Sequence, residues 1–240
     1  NELITISREA DIDAEIYHLK AAGRNNWHKL DQVLQMIDSV NAAGQKVTTN
    51  MYNYVAASTG LDATMPPWVQ EGGTQAWVER LQDPRTKARV IEEMQSASKE
   101  WENFLVAAGD PDNILLVEFA EDSLKYLTGK TVGEIAQMRD TAPAETIVDL
   151  VVQNGTDIGT VYFLMNEDNV KKQMQLPYMT FGSDARSIAA EGKNLESSTH
   201  PRTYGNFARL LGKYVREEKV ISLEEAIHRL TQLSAQKLKI

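Results

Sequence analysis

Ala14-Glu15-Ile16-Tyr17-His18-Leu19 reads as a short strand that runs out into polar residues and then Gly23. A helical pattern follows over residues 27–42 and closes on Gly44, at the place where a helix commonly ends on glycine. Residues 46–54, rich in Val, Thr and Tyr, form the next strand. Strand, helix and strand on this scale make a parallel crossover unit.

Upstream, residues 2–10 read as a helix with Leu3, Ile6 and Ala10 on one face. Downstream the texture changes over residues 59–113. Pro66-Pro67-Trp68 and Gly72-Gly73 interrupt the chain, and helices are predicted over 75–81 and 84–108, the second behind a capping Asp83 with Pro84 at its first position. Further strands are predicted at 113–119 and 161–164, with helices at 131–139, 143–153 and 167–174. Residues 178–184 are a strand whose last residue is Asp184. A loop over 187–199 leads to two closing helices, 204–218 and 222–238, the second opening on the capping pattern Ser222-Leu223-Glu224-Glu225.

Strands that end in polar residues and alternate with helices predict an α/β fold of the TIM-type (β/α)8 kind, in which strand C-termini build the active site. Three well-marked barrel strands and two weaker ones fall short of the eight needed for closure. The chain opens at Asn1 inside one helical pattern and stops inside another without a stop signal, so the expectation is the late part of a longer barrel protein. The expected division is 1–58 barrel strands and helices, 59–160 an inserted, mostly helical lid-like subdomain, and 161–240 the last barrel strands and C-terminal helices.

The 240 residues carry 25 Lys+Arg against 34 Asp+Glu, a net charge of −9, which argues against a phosphate-driven nucleic-acid binder. No stretch approaches the roughly 18 apolar residues of a membrane helix. With no cysteine, a disulfide, a thiol nucleophile and Cys-ligated zinc are excluded within the chain, and any metal must use carboxylates and the histidines His18, His28, His200 and His228. No signal peptide is seen and a cytoplasmic location is the expectation. Thr128-Gly129-Lys130-Thr131 lacks the first glycine of a phosphate loop, since Leu124 stands there, and Asn154-Gly155-Thr156 is a formal glycosylation sequon.

Four segments in order carry a resemblance. Ile16-Tyr17-His18-Leu19-Lys20-Ala21-Ala22-Gly23 resembles the Ile-Ser-His-x-Lys-x-x-Gly segment of the N-acyl-D-amino-acid deacylases (D-aminoacylases) of the amidohydrolase superfamily. Tyr52-Asn53-Tyr54-Val55-Ala56-Ala57-Ser58-Thr59 is similar to their Tyr-Pro-Tyr-x-Ala-x-Ser-Thr, and Gly182-Ser183-Asp184-Ala185 to their Gly-Ser-Asp-Gly. The longest match runs from His200-Pro201-Arg202-Thr203-Tyr204-Gly205 through Glu218. The resemblance implies a zinc-dependent hydrolase on a TIM-type barrel with a small β-sandwich domain, cleaving the amide of an N-acyl-D-amino acid. It implies His18 as a zinc ligand, Asp184 as general acid/base beside the metal and a ligand to it, and Lys20, Tyr52, Ser58 and Arg202 as the groups that hold the substrate's free carboxylate. The residue types suit that chemistry: a carboxylate can move a proton from water to a leaving amine, and a guanidinium can grip a carboxylate with two parallel hydrogen bonds.

Structural alternatives stand beside each role. His18 can be a hydrogen-bonded strand-end histidine, Asp184 a turn residue, Lys20 a solvated lysine, Tyr52 a packing residue, Ser58 a turn hydroxyl and Arg202 a loop tie. His200 reads as structural. Asn53, Ala185 and Tyr17 depart from the family's Pro, Gly and Ser, and Ala185 would restrict a turn that needed a positive φ there. The family's His-x-His pair, its Cys or acidic bridging ligand and its earlier single histidine have no counterpart in the chain, which alone should bind zinc poorly. Two other functions stay open: an amidohydrolase of a different amide, and a non-catalytic α/β fragment or scaffold. A homo-oligomer is left open as a partner.

Overall fold

The computed structural model describes residues 1–195 and 198–240; within the loop expected over 187–199, Glu196 and Ser197 lie outside the described residues. Along the chain run α1 (Glu2–Ala10), β1 (Ala14–Ile16), α2 (Leu30–Ala42), β2 (Val47–Met51), β3 (Ala57–Gly60), α3 (Pro67–Gln70), α4 (Thr74–Gln82), α5 (Pro84–Met94) and α6 (Phe104–Ala108). There follow β4 (Ile114–Glu118), α7 (Val132–Arg139), α8 (Pro143–Asn154), β5 (Gly159–Tyr162), α9 (Glu167–Met174), β6 (Met179–Phe181), α10 (Arg202–Arg209), α11 (Leu223–Leu230) and α12 (Gln232–Leu238). A π-helix, Leu210–Glu217, continues α10 directly.

Two compact units result. The first comprises Asn1–Val55, Met165–Ser187 and Pro201–Ile240. Its sheet has the order β1-β2-β6, both pairings parallel, with Ala14 opposite Val47 and Met51 opposite Phe181. Alternation decides the faces of β2: Val47, Thr49 and Met51 are buried while Thr48 and Asn50 are less so. Met51, Met179 and Phe181 pack with Val170, Met174, Leu210, Tyr214, Ile221 and Ala226 into one apolar core. Leu30, Leu34 and Ile37 form the buried stripe of α2, at helical spacing. The Asn41 side chain then grips the start of β2, accepting from Val47 N and donating to Val47 O, each at 2.8 Å. Polar residues are gathered by Lys237 on α12, whose ammonium reaches Thr49 O at 2.8 Å, Thr180 Oγ1 at 3.1 Å and Glu15 at 3.1 Å.

The second unit comprises Ala56–Leu164 and Ile188–His200. Its sheet is antiparallel, order β3-β5-β4, so the strands expected at 113–119 and 161–164 are not barrel strands; they pair with each other, and β5 pairs on its other side with β3, which composition did not mark as a strand. The helix expected over 84–108 is two: α5 ends at Met94, and α6 starts afresh behind Asn103, whose side chain accepts from Leu105 N and Val106 N. The Asp83 cap is present, with Thr86 N donating to its carboxylate at 2.8 Å. Strand β1 likewise ends at Ile16 rather than Leu19, because His18 takes φ 39°. The closing helices are also subdivided, α10 passing into the π-helix and α11 breaking from α12 at Thr231. Among the described residues the chain is a mixed α/β fold without a closed barrel, and no helix is long and apolar enough to cross a membrane.

Asn154, the sequon asparagine, is buried at the end of α8 and fully used. It accepts from Ala120 N and Glu121 N at 2.9 and 3.0 Å and donates to Thr156 O and Asp157 O at 3.1 and 3.0 Å. Asn154→Ala is expected to destabilise this unit by about 2–3 kcal/mol, because backbone groups are left unpaired. Chemical denaturation should show the lowered midpoint, and an unchanged one would contradict the role of this amide.

Candidate functional site

In a parallel sheet all strands deliver their C-terminal ends to one edge, and here that edge collects the chemistry. The ladder continues past the strands, with Leu19 N donating to Asn50 O at 2.9 Å and Gly182 N to Met51 O at 3.0 Å. His18 and Lys20 therefore follow β1, Tyr52 follows β2 and Asp184 follows β6. Arg202 arrives from the first turn of α10.

Five of the six expected site residues form a chain of contacts that closes through a sixth residue, Tyr17. Lys20 Nζ lies 2.6 Å from His18 Nδ1 and 5.2 Å from the centre of the Tyr52 ring. The Arg202 guanidinium covers the same ring at 4.5 Å, and its Nη1 is 2.8 Å from Asp184 Oδ2. The Tyr17 hydroxyl donates to Asp184 Oδ1 at 3.0 Å, while its ring stands 4.6 Å from that of His18. Tyr17 stands where the family that the sequence resembles has serine. No pattern in the sequence marks it as a site residue, since it is 61% exposed at the end of an edge strand.

Ser58 is not part of this arrangement. It lies on β3 in the other unit, where its hydroxyl donates to Thr160 O at 3.0 Å. His200 is buried, with Nε2 2.9 Å from Ala56 O.

Backbone conformation aims the two ends. His18 at φ 39° and Asp184 at φ 48° both sit in the left-handed region, which His and Asp tolerate better than most residues but which still costs of order 1–3 kcal/mol. His18 is held there by its own N–H, which donates to Asn50 Oδ1 at 2.7 Å. Ala185 has no positive φ, so alanine does not restrict this turn.

Burial sets the electrostatics. Tyr52 is 4% and Arg202 8% exposed. Burial pushes the Tyr52 phenol above its ordinary value, against the opposing pull of Arg202. The Tyr17 phenol is raised chiefly because Asp184 accepts its proton in a hydrogen bond. A guanidinium this buried needs its carboxylate partner, because removing one member of such a pair leaves a charge stranded.

The residues present do not suit a zinc ion as they are arranged. A lysine ammonium can only donate, so His18 Nδ1 accepts, and a neutral imidazole then carries its proton on Nε2. Lys20 thereby engages Nδ1, and both oxygens of Asp184 are engaged by Tyr17 and Arg202. Among the described residues no three His, Asp or Glu side chains cluster as a metal site would require. The chain is expected to retain no stoichiometric zinc after dialysis, and Lys20→Met, which releases Nδ1, to bind it better than the parent. Tight zinc binding by the unaltered chain, measured by calorimetry, would refute this.

No family model matches the chain. Curated relatives do. It is 28% identical to an N-acyl-D-aspartate deacylase and 25% identical to a D-aminoacylase, both of Alcaligenes xylosoxydans xylosoxydans, covering 98% of this chain but only 36% and 37% of theirs. Among solved structures, an N-acyl-D-glutamate deacylase of Bordetella bronchiseptica, complexed with zinc and a phosphonate mimic of the tetrahedral intermediate, matches with TM-score 0.68 at 24% identity, over all of this chain and 39% of its own. A D-aminoacylase structure described as defining a novel subset of amidohydrolases matches with TM-score 0.67 at 25% identity, over 99% of this chain and 38% of its own. The chain thus spans well under half the length of the relatives it matches.

Proposed function

We propose, from distant homology over the whole chain to D-aminoacylase and the N-acyl-D-amino-acid deacylases, that this chain carries the substrate-handling part of such a hydrolase. The observation that supports this best is the closed set of contacts at one sheet edge, His18–Lys20–Tyr52–Arg202–Asp184–Tyr17. Two cations beside one aromatic ring suit the free carboxylate of an N-acyl-D-amino acid, Arg202 through paired N–H groups and Lys20 as a compact charge. The Tyr52 ring gives that carboxylate a wall, and the phenol, kept protonated by burial, keeps an O–H to donate.

Asp184 is the proton carrier. Water adds to the amide carbonyl carbon, the carboxylate takes its proton, and that proton goes to the amine nitrogen as the carbon–nitrogen bond breaks. The activation that makes water a sufficient nucleophile toward an amide is not supplied by these residues as arranged. A second reading, binding without turnover, is favoured by the lack of a three-ligand metal cluster among the described residues.

The Arg202–Asp184 pair gives the proposal its sharpest consequence. A substrate carboxylate must share or take the guanidinium that Asp184 holds at 2.8 Å, so Asp184 is an internal competitor for the ligand. Asp184→Asn should therefore bind N-acetyl-D-methionine about tenfold more tightly, while Arg202→Lys should bind it about tenfold less tightly. Titration calorimetry distinguishes these, and weaker binding by Asp184→Asn would remove the competition. Hydrolysis by the 240 residues with added zinc is expected to be negligible, and ordinary enzymatic turnover would overturn the second reading.

A further inference from the structure

Asn53 and Asn206 take no part in the contacts just described, yet they join three of the elements that carry them, the chain leaving β2, the chain leaving β6 and α10. Asn53 directly follows Tyr52 and is fully buried, and Asn206 is 1% exposed on the turn of α10 after Arg202. Asn206 Oδ1 accepts from Asn53 N at 3.0 Å, and Asn206 O accepts from Asn53 Nδ2 at 2.7 Å. The same Asn206 amide donates through Nδ2 to Gly182 O at 2.9 Å, two residues before Asp184. One side chain thus touches the backbone leaving β2 and the backbone leaving β6, from the helix that presents Arg202.

The helix is shaped to keep that grip. Asn53 O accepts from Arg209 Nε at 3.0 Å and from the Tyr214 hydroxyl at 3.3 Å. Residues five apart on an α-helix do not share a face, but the π-helix Leu210–Glu217, with its i to i+5 spacing, brings Tyr214 round to join Arg209. Gly205 permits the close approach, since a Cβ there would lie 2.6 Å from the Tyr54 hydroxyl.

We infer that Asn206, with Asn53 as its partner, is a positioning residue that sets Tyr52, Asp184 and Arg202 in mutual register. Its substrate consequence rests on the carboxylate-binding role proposed above; its geometric consequence does not. The discriminating variant is Asn206→Asp, which keeps an acceptor for Asn53 N but replaces the donor to Gly182 O with an oxygen. Asn206→Leu removes the whole amide. Tyr214→Phe serves as the purely structural comparison, removing a bond to Asn53 O while leaving Asn206 in place.

Two readouts apply to the full chain. Guanidinium NMR of Arg202 reports its pairing with Asp184 through hindered rotation and slow proton exchange, without any ligand. Calorimetry reports the affinity for N-acetyl-D-methionine. In Asn206→Asp, folded by circular dichroism, the Arg202 signature should be lost and binding weakened about tenfold, the scale of one forfeited buried hydrogen bond. Tyr214→Phe should lower the unfolding temperature and leave both readouts unmoved. Retention of the Arg202 signature in Asn206→Asp, or its equal loss in Tyr214→Phe, overturns the inference. If Asn206→Leu does not fold, Asn206→Asp still decides. Loss of the signature in a chain whose parent form binds no N-acetyl-D-methionine upholds the positioning and rejects the carboxylate reading instead.

Discussion

The pairing of β1, β2 and β6 in parallel register is the constraint from which the rest follows. Parallel neighbours end on the same side, so residues far apart in sequence meet without any loop having to fetch them. Histidine after the first strand, tyrosine after the second and aspartate after the third are brought to one edge by the strand pairing, and the side chains of Asn50 and Asn206 then fix the turns. The helix bearing Arg202 needs only to cross that edge. Its buried guanidinium is tolerated because a carboxylate is already there to meet it.

Much of this was legible in the residues. Strand-like composition and the polar residues that end each strand marked the three strands of the parallel sheet, and Asp83 with Pro84 marked a helix start. What escaped detection has physical reasons. Ala57-Ser58-Thr59-Gly60 has no strand-like composition and is a strand because β5 pairs with it. That pairing also commits the Ser58 hydroxyl to its own sheet. The helical periodicity across residues 95–103 could not show that Asn103 would cap a new helix rather than continue an old one. A π-helix has no compositional signature. Tyr17 was invisible because its importance lies in what its hydroxyl reaches, a carboxylate on another strand.

The site differs from the expectation in one instructive respect. A strand-end histidine and aspartate suggested a shared cation, yet in the structure each is satisfied by a protein group, the histidine by Lys20 and the aspartate by Arg202 and Tyr17. The same two cations that suit a substrate carboxylate also quiet the residues expected to hold metal. Charge balance, rather than residue identity, separates the two readings of this edge.

The left-handed backbone at His18 and Asp184 bears on how relatives of this chain should be compared. Any side chain branched at Cβ is disfavoured at both positions before chemistry is considered. Invariance there across an alignment would therefore count twice, once for steric permission and once for reactivity. Only substitutions to asparagine or glycine, which the turn accepts but which remove the imidazole or the carboxylate, would separate the two signals.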